Sequence, residues 1–324
     1  VSAIIDDLQA RAIRAMAAWD LQDQTPQLLK YRENAVFKVR LAHGQKAALR
    51  LHRPGYHSEW ALLSELHWMD DLRRNGLRAP EPIAASDGRL LISLDGDEPQ
   101  FADLIDWVDG VPLGESGAPL AQGADELEAL FHDIGASMAR MHEIADRWRR
   151  PAHFSRPQWD ANGLLGEQPV WGRFWDVAGL AEIDRRYLVA LRGQLRDRLA
   201  EVAETLDFGL VHADLVRENV FIGASGIAFI DFDDCGFGWR LFDIATTLLR
   251  NRHEPLYQLI EAALIHGYRS QKHLSDADLA QLPLFLLLRS LTYIGWVGAR
   301  PELPDSAERL ARYVAEARAL SDAV

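Results

Sequence analysis

The residues best suited to chemistry fall in one stretch, between Val211 and Asp234. It holds His212-Ala213-Asp214 and, five residues after the aspartate, Asn219. A short apolar run, a turn at Gly223 and Gly226, and a second apolar run then lead to Asp231. An aspartate on a turn can take or orient the proton of an attacking hydroxyl. An asparagine and a later strand-end carboxylate supply hard oxygen atoms of the kind Mg²⁺ prefers. The set suits phosphoryl transfer, in which positioning and charge stabilisation do most of the work. Taken alone, Asp214 is an ordinary turn or helix-cap residue. The argument for function is the spacing 214–219–231 with apolar strands between.

Such a set needs a scaffold large enough to hold it. The chain has 324 residues, 48% of them hydrophobic and 26% charged, which predicts a globular protein of two subdomains. The net charge of −13 argues against a nucleic-acid-binding face and slightly favours a cationic substrate, although for most of these carboxylates a solvated acidic surface is the expected role. Cys235 is the single cysteine, so an internal disulfide and a cysteine-rich zinc site are excluded, and a reducing, cytoplasmic setting is expected. The first residues show no basic segment followed by an apolar core, so a secretory signal is not expected from them. The most apolar stretch, residues 282–299, contains Pro283 and Arg289 and reads as a buried helix rather than a membrane span.

Along the chain, residues 2–18 have the spacing of an amphipathic helix. Strands are expected from Gln27, over 35–41 and over 47–51, the last two joined by a turn at His43 and Gly44. Ser58 can cap a helix carrying Leu62, Leu66, Met69 and Leu72. Further strands are expected at 83–85, 90–94 and 101–108. The Asp109-Gly110-Val111-Pro112 break then marks a boundary, with residues 1–107 as an N-terminal lobe and 108–324 as a mainly helical C-terminal lobe. Residues 125–146 form a strong amphipathic helix in which Gly135 would allow a close helix contact. Residues 148–178 are irregular, and helices follow near 177–206, 240–250, 255–271, 276–299 and 305–321. The Ser275…Asp278 pair reads as an N-terminal capping signal.

The order of elements, together with Leu210-Val211-His212-Ala213-Asp214…Asn219 and Ile230-Asp231-Phe232-Asp233-Asp234…Asp243, resembles the aminoglycoside phosphotransferase/choline kinase superfamily over nearly the whole chain. The stretches at 32–37 and 288–296 are similar to its homoserine-kinase-like and stress-response-kinase-like members. The resemblance implies an α+β, two-lobed protein-kinase-like fold, with a small antiparallel sheet in the N-terminal lobe, and ATP and Mg²⁺ as cofactors. It makes Asp214 the catalytic base and Asn219 and Asp231 the metal ligands, with His212 and Asp243 supporting the loop. On the nucleotide side it places Arg50 where relatives carry a phosphate-binding lysine. Glu65 is its best helix partner and Glu59 the second candidate. Asn34 or Arg32 would cover the phosphates in place of the missing glycine-rich loop, and the backbone of Asp106 and Val108 would hold adenine. Arginine keeps the charge of lysine but not its geometry.

On the acceptor side, Asp233 and Asp234 could supply charge for an ammonium group or hydrogen-bond the loop. Trp159, Trp171, Trp175, Trp239 and Trp296 could form an aromatic cage or pack the core. Arg289, Tyr293 and Trp296 share a helix face at i, i+4 and i+7. Arg289 there needs a partner, with an internal carboxylate favoured over an acidic group of the substrate. These readings predict a kinase for a hydroxyl on a small polar metabolite, an amino alcohol or hydroxy amino acid, with no nucleic-acid or membrane partner. The alternatives are a protein serine/threonine kinase of the stress-response type and a nucleotide-binding pseudokinase. The absence of an A-P-E segment after Asp231 favours small acceptors; Arg50 and the missing glycines motivate the pseudokinase.

Overall fold

A computed structural model describes residues 2–31, 34–96 and 99–324. The chain divides into two compact units. The first comprises Val1–Val111, Arg147–Arg156 and Phe221–Asp233, and the second Pro112–Asp146, Pro157–Val220 and Asp234–Val324.

In the first unit, helix α1 (Ser2–Met16) precedes strands β1 (Gln27–Tyr31), β2 (Asn34–Arg40) and β3 (Lys46–His52), helix α2 (Glu59–Arg74), and strands β4 (Leu91–Leu94) and β5 (Gln100–Asp106). The five strands form an antiparallel sheet in the order β1-β2-β3-β5-β4. Alternation along β2 sends Ala35, Phe37 and Val39 into a core that they share with Ala47, Leu49 and Leu51 of β3 and with Leu8, Ala12 and Met16 of α1. The Ser58 side chain accepts a hydrogen bond from Ala61 N at the start of α2, satisfying one of the N–H groups that a helix start leaves open. The strand expected at 83–85 is absent. Pro82 makes a single bridge to Ile105, and the surrounding chain closes through Ile83 N to Leu104 O and Ala85 N to Arg89 O. Ala85 N is committed to the turn that ends at Arg89, so it does not extend a ladder from Ile83.

After the two-residue strand β6 (Val111–Pro112), the second unit is built on helix α3 (Ala124–Arg147), strand β7 (Gln158–Trp159), and helices α4 (Ala161–Leu165) and α5 (Glu182–Val202). Strand β8 (Phe208–Val211) leads into the catalytic-loop motif. Next in the chain come β9 (Val220–Gly223) and β10 (Gly226–Phe229), which from Phe221 on belong to the first unit; the second then resumes with β11 (Gly236–Trp239), α6 (Arg240–Leu249), α7 (Tyr257–Gln271), α8 (Asp276–Leu279), α9 (Leu282–Gly298) and α10 (Ser306–Ser321). The Ser275–Asp278 capping box is present, but it opens the one-turn α8, so the long helix expected over 276–299 is two helices. Strand β11 is not among the strands expected from the sequence. It pairs antiparallel with β8 and parallel with β7. A Cβ at 236 would strike the Pro157 carbonyl oxygen, and one at 238 would lie 3.0 Å from Trp159 Cβ, so glycine here permits close strand packing. At Gly135 a Cβ would collide with the Leu264 carbonyl oxygen, so α3 and α7 meet backbone to backbone.

Candidate active site

In the first unit, Arg50 and Asp103 are direct cross-strand partners on β3 and β5. Asp103 takes both Arg50 Nε and Nη2 at 2.8 Å, and Glu65 of α2 takes Nη1 at 2.6 Å. Glu59 stands exposed at the start of α2. Asp103 also meets His52 Nε2 at 2.7 Å, and Arg156 Nη1 lies 3.8 Å from Glu65. Burial by itself would raise the Asp103 carboxyl, but the charges and hydrogen bonds of Arg50 and His52 outweigh it and hold it at about 2. Arg50 thus sits buried between two carboxylates, with three of its five N–H directions committed. The position expected from the sequence to bind phosphate is here the centre of a buried ion cluster. Asp103, His52 and Arg156 carried no sequence signal, since Asp103 lies 53 residues from Arg50 and meets it only through strand register.

Asp231, two residues past the end of β10, has φ 65°, a left-handed conformation that costs a non-glycine residue about 1–3 kcal/mol and is found most often at functional sites. Lys30 Nζ, 47% exposed on β1, lies 3.6 Å from Asp231 Oδ2. Lys30 is a second cation missed in the sequence. Asp233 is buried: Asn34 Nδ2 donates to its Oδ1 at 3.3 Å, His57 Nε2 lies 3.5 Å away, and Arg156 donates to its carbonyl oxygen. Its burial opposes ionisation, yet His57, His52 and Arg156 hold the carboxyl well below the usual range. Asp233 therefore braces its own loop, and Asn34 is tied to it. Arg32 lies outside the described residues. Asp106 Oδ1 accepts from Glu81 N at 2.6 Å. Val108 lies just past β5, and its N–H finds no partner among the described residues.

In the second unit, the turn after β8 puts Ala213 at φ 66° immediately before Asp214. Asp243 holds that strained backbone: its carboxylate accepts from His212 N at 2.8 Å and Ala213 N at 2.7 Å. His142 Nε2 lies 2.9 Å from the same carboxylate, and His142 Nδ1 lies 2.9 Å from the Tyr268 hydroxyl. An ionised Asp243 only accepts, so Nε2 carries the hydrogen and Nδ1 accepts from Tyr268. His212 is buried, and its Nδ1 accepts from Asp214 N at 3.3 Å. The Asp214 side chain, 22% exposed, is gripped on both oxygens: Arg289 Nη2 reaches Oδ1 at 2.6 Å and Asn219 Nδ2 reaches Oδ2 at 3.0 Å. Asn219 Nδ2 also donates to Asp214 O at 2.9 Å, so both amide hydrogens point to Asp214 and Oδ1 is left for another partner.

The acceptor-side expectations change more. Asp234 accepts from Trp171 Nε1 through its carboxylate and from Trp159 Nε1 through its carbonyl, both at 2.9 Å. Trp159, Trp175 and Trp239 are core side chains. Trp296 does not join Arg289 and Tyr293; it lies under the Arg300 guanidinium, 4.4 Å from ring centroid to Cζ. Seven residues advance a helix about 10 Å, so a shared face does not make a shared contact.

Each unit by itself presents an oxygen donor of the type a hard cation takes: in the second, the Asn219 Oδ1 left over by its two Nδ2 bonds, and in the first, the partly exposed Asp231 carboxylate. No His, Cys, Asp and Glu grouping of three or more forms a metal cluster among the described residues, and none of their helices is long and apolar enough to cross a membrane.

Comparison with known proteins identifies the family and the fold. Residues 25–281 match the model of the phosphotransferase enzyme family. The amicoumacin kinase of Bacillus subtilis is 24% identical over 295 residues, covering 87% of this chain and 82% of the relative. A homoserine kinase of Rhizobium rhizogenes is 29% identical over 219 residues, 66% of this chain and 62% of the relative. The solved structure of a microcompartment-associated aminopropanol kinase superposes with a TM-score of 0.81 at 32% identity, covering 97% of this chain and 98% of that one. The chain has an α+β, protein-kinase-like fold, belongs to the phosphotransferase enzyme family, and is a small-molecule kinase.

Proposed function

We propose that the chain transfers the γ-phosphoryl group of ATP to a hydroxyl of a small amino alcohol or hydroxy amino acid. The observation that carries this reading is the Asp214 carboxylate, presented on a strained, Asp243-clamped turn with both oxygens oriented by fixed donors. Asp214 accepts or orients the hydroxyl proton; Asn219 and Asp231 are the ligands for Mg²⁺, which when bound neutralises phosphate charge. The Val108 N–H is the adenine contact. Arg50 acts through Glu65 and Asp103, keeping β3 and α2 in place, and Lys30 is the exposed cation for phosphate oxygens. The relatives named for homoserine and aminopropanol support an acceptor that carries an amine near its hydroxyl.

The test is ADP formation with Mg²⁺–ATP across a panel containing L-homoserine, 1-amino-2-propanol, choline and a generic protein. Asp214→Asn should lower kcat by about 10²–10⁴ while leaving binding of a non-hydrolysable ATP analogue intact. Phosphate transfer to protein alone, or an Asp214→Asn enzyme as fast as the wild type, would overturn the reading.

A further inference from the structure

Phosphoryl transfer explains why Asp214 is held, but not why it is held by a cation buried among aromatic rings. Arg289 is 0% exposed. Its guanidinium carbon lies 4.4 Å from the Trp171 ring centroid, 4.5 Å from that of Tyr293 and 5.5 Å from that of Phe242. The walls are themselves fixed. Trp171 donates to Asp234, and the Tyr293 hydroxyl accepts from both Arg289 Nη2 and Arg250 Nε at 2.9 Å. Nη2 also donates to Asp214, whereas Nε and Nη1 are buried with no hydrogen-bond acceptor among the described residues. A guanidinium taken out of water with two of its three nitrogens lacking acceptors needs other compensation, and ring faces supply it through their quadrupoles.

An aromatic box closed by a carboxylate is what recognition of an ammonium ligand calls for. Here the chain's own side chain occupies it. We propose that Arg289 is a built-in cation: it fills the box of Trp171, Phe242 and Tyr293, positions the Asp214 carboxylate for the acceptor hydroxyl, and excludes an acceptor's ammonium group from that box. The proposal rests on Asp214 as the base. It makes Arg289 a positioning residue and Trp171 and Tyr293 its mount, and it directs the acceptor's amine to other groups than these rings.

Emptying the box tests this directly. Arg289→Ala should bind guanidinium at millimolar concentration, measured by titration calorimetry, at least about tenfold more tightly than the wild type. Tetramethylammonium should bind at the same place and compete. Adding Asp214→Asn to Arg289→Ala should weaken that binding, because the partner charge is gone. With 1-amino-2-propanol or L-homoserine as acceptor, kcat of Arg289→Ala should fall ~100-fold through a misplaced base while KM for ATP stays within about threefold, and added guanidinium should restore part of kcat. A folded Arg289→Ala that binds no guanidinium would sink the proposal. Arg289→Met fills the volume without charge and guards against misfolding; wild-type kcat in that variant would equally refute it. Should Asp214→Asn alone keep full turnover while Arg289→Ala still binds guanidinium, the base assignment fails and the box remains.

Discussion

The clamp beneath the catalytic loop contains a group whose titration can be followed through stability. His142 is fully buried between Tyr268 and Asp243, and Asp243 holds the backbone at 212 and 213. Burial, and after it the positive charge of Arg240, push the imidazole down to about 4; the hydrogen bond and charge of Asp243 pull the other way and lose. In an unfolded chain the same histidine titrates near ~6.5. Between these values the unfolded chain takes up a proton that the native state refuses, so stability falls as pH falls, by ~1.4 kcal/mol per pH unit. The contribution is complete above about pH 6.5; roughly 2 kcal/mol of it is lost by about pH 5, and ~3 kcal/mol once the native imidazole titrates. His142→Gln keeps a donor for Asp243 but cannot titrate. It should be less stable than the wild type near pH 8, by about 1–3 kcal/mol for the disturbed hydrogen bonds. Urea unfolding from pH 8 to pH 5 should then show the two proteins converging by ~2 kcal/mol. Parallel stability curves would refute the assignment of His142 as a buried neutral imidazole.

The first unit supplies three further outcomes. Asp103→Asn removes the carboxylate that takes two of the Arg50 contacts and one from His52, leaving a buried cation with only Glu65 close by; the expected loss is ~3–5 kcal/mol, read as a lowered denaturant midpoint. Arg50→Lys should not be tolerated as a conservative change, because an ammonium cannot make the two-pronged contact. Lys30→Met should raise KM for ATP about threefold to tenfold and flatten its salt dependence, with a smaller effect on kcat. An unchanged affinity for a non-hydrolysable ATP analogue would exclude Lys30 from the phosphate site.

What could be read from the sequence was whatever depends on neighbours along the chain. The periodicity of 2–18 and 125–146, the Ser58 and Ser275 caps, the alternation in β2 and the 214–219–231 spacing are all local, and local geometry follows from backbone sterics and hydrogen-bond ranges of a few residues. The superfamily resemblance rested on the same kind of motif, and the family match bears it out. The partners were not legible. Arg50 meets Asp103 across 53 residues, Asp243 meets Ala213 across 30, and Arg289 meets Asp214 across 75. The i, i+4, i+7 spacing put Arg289, Tyr293 and Trp296 on one helix face, but only Tyr293 touches Arg289, because helical periodicity gives direction around an axis and not which side chains meet. The sequence by itself determined the chemistry the loop can perform. Tertiary structure alone decided which charges are buried together, because the low dielectric that makes those pairings strong exists only once distant segments exclude water from one another.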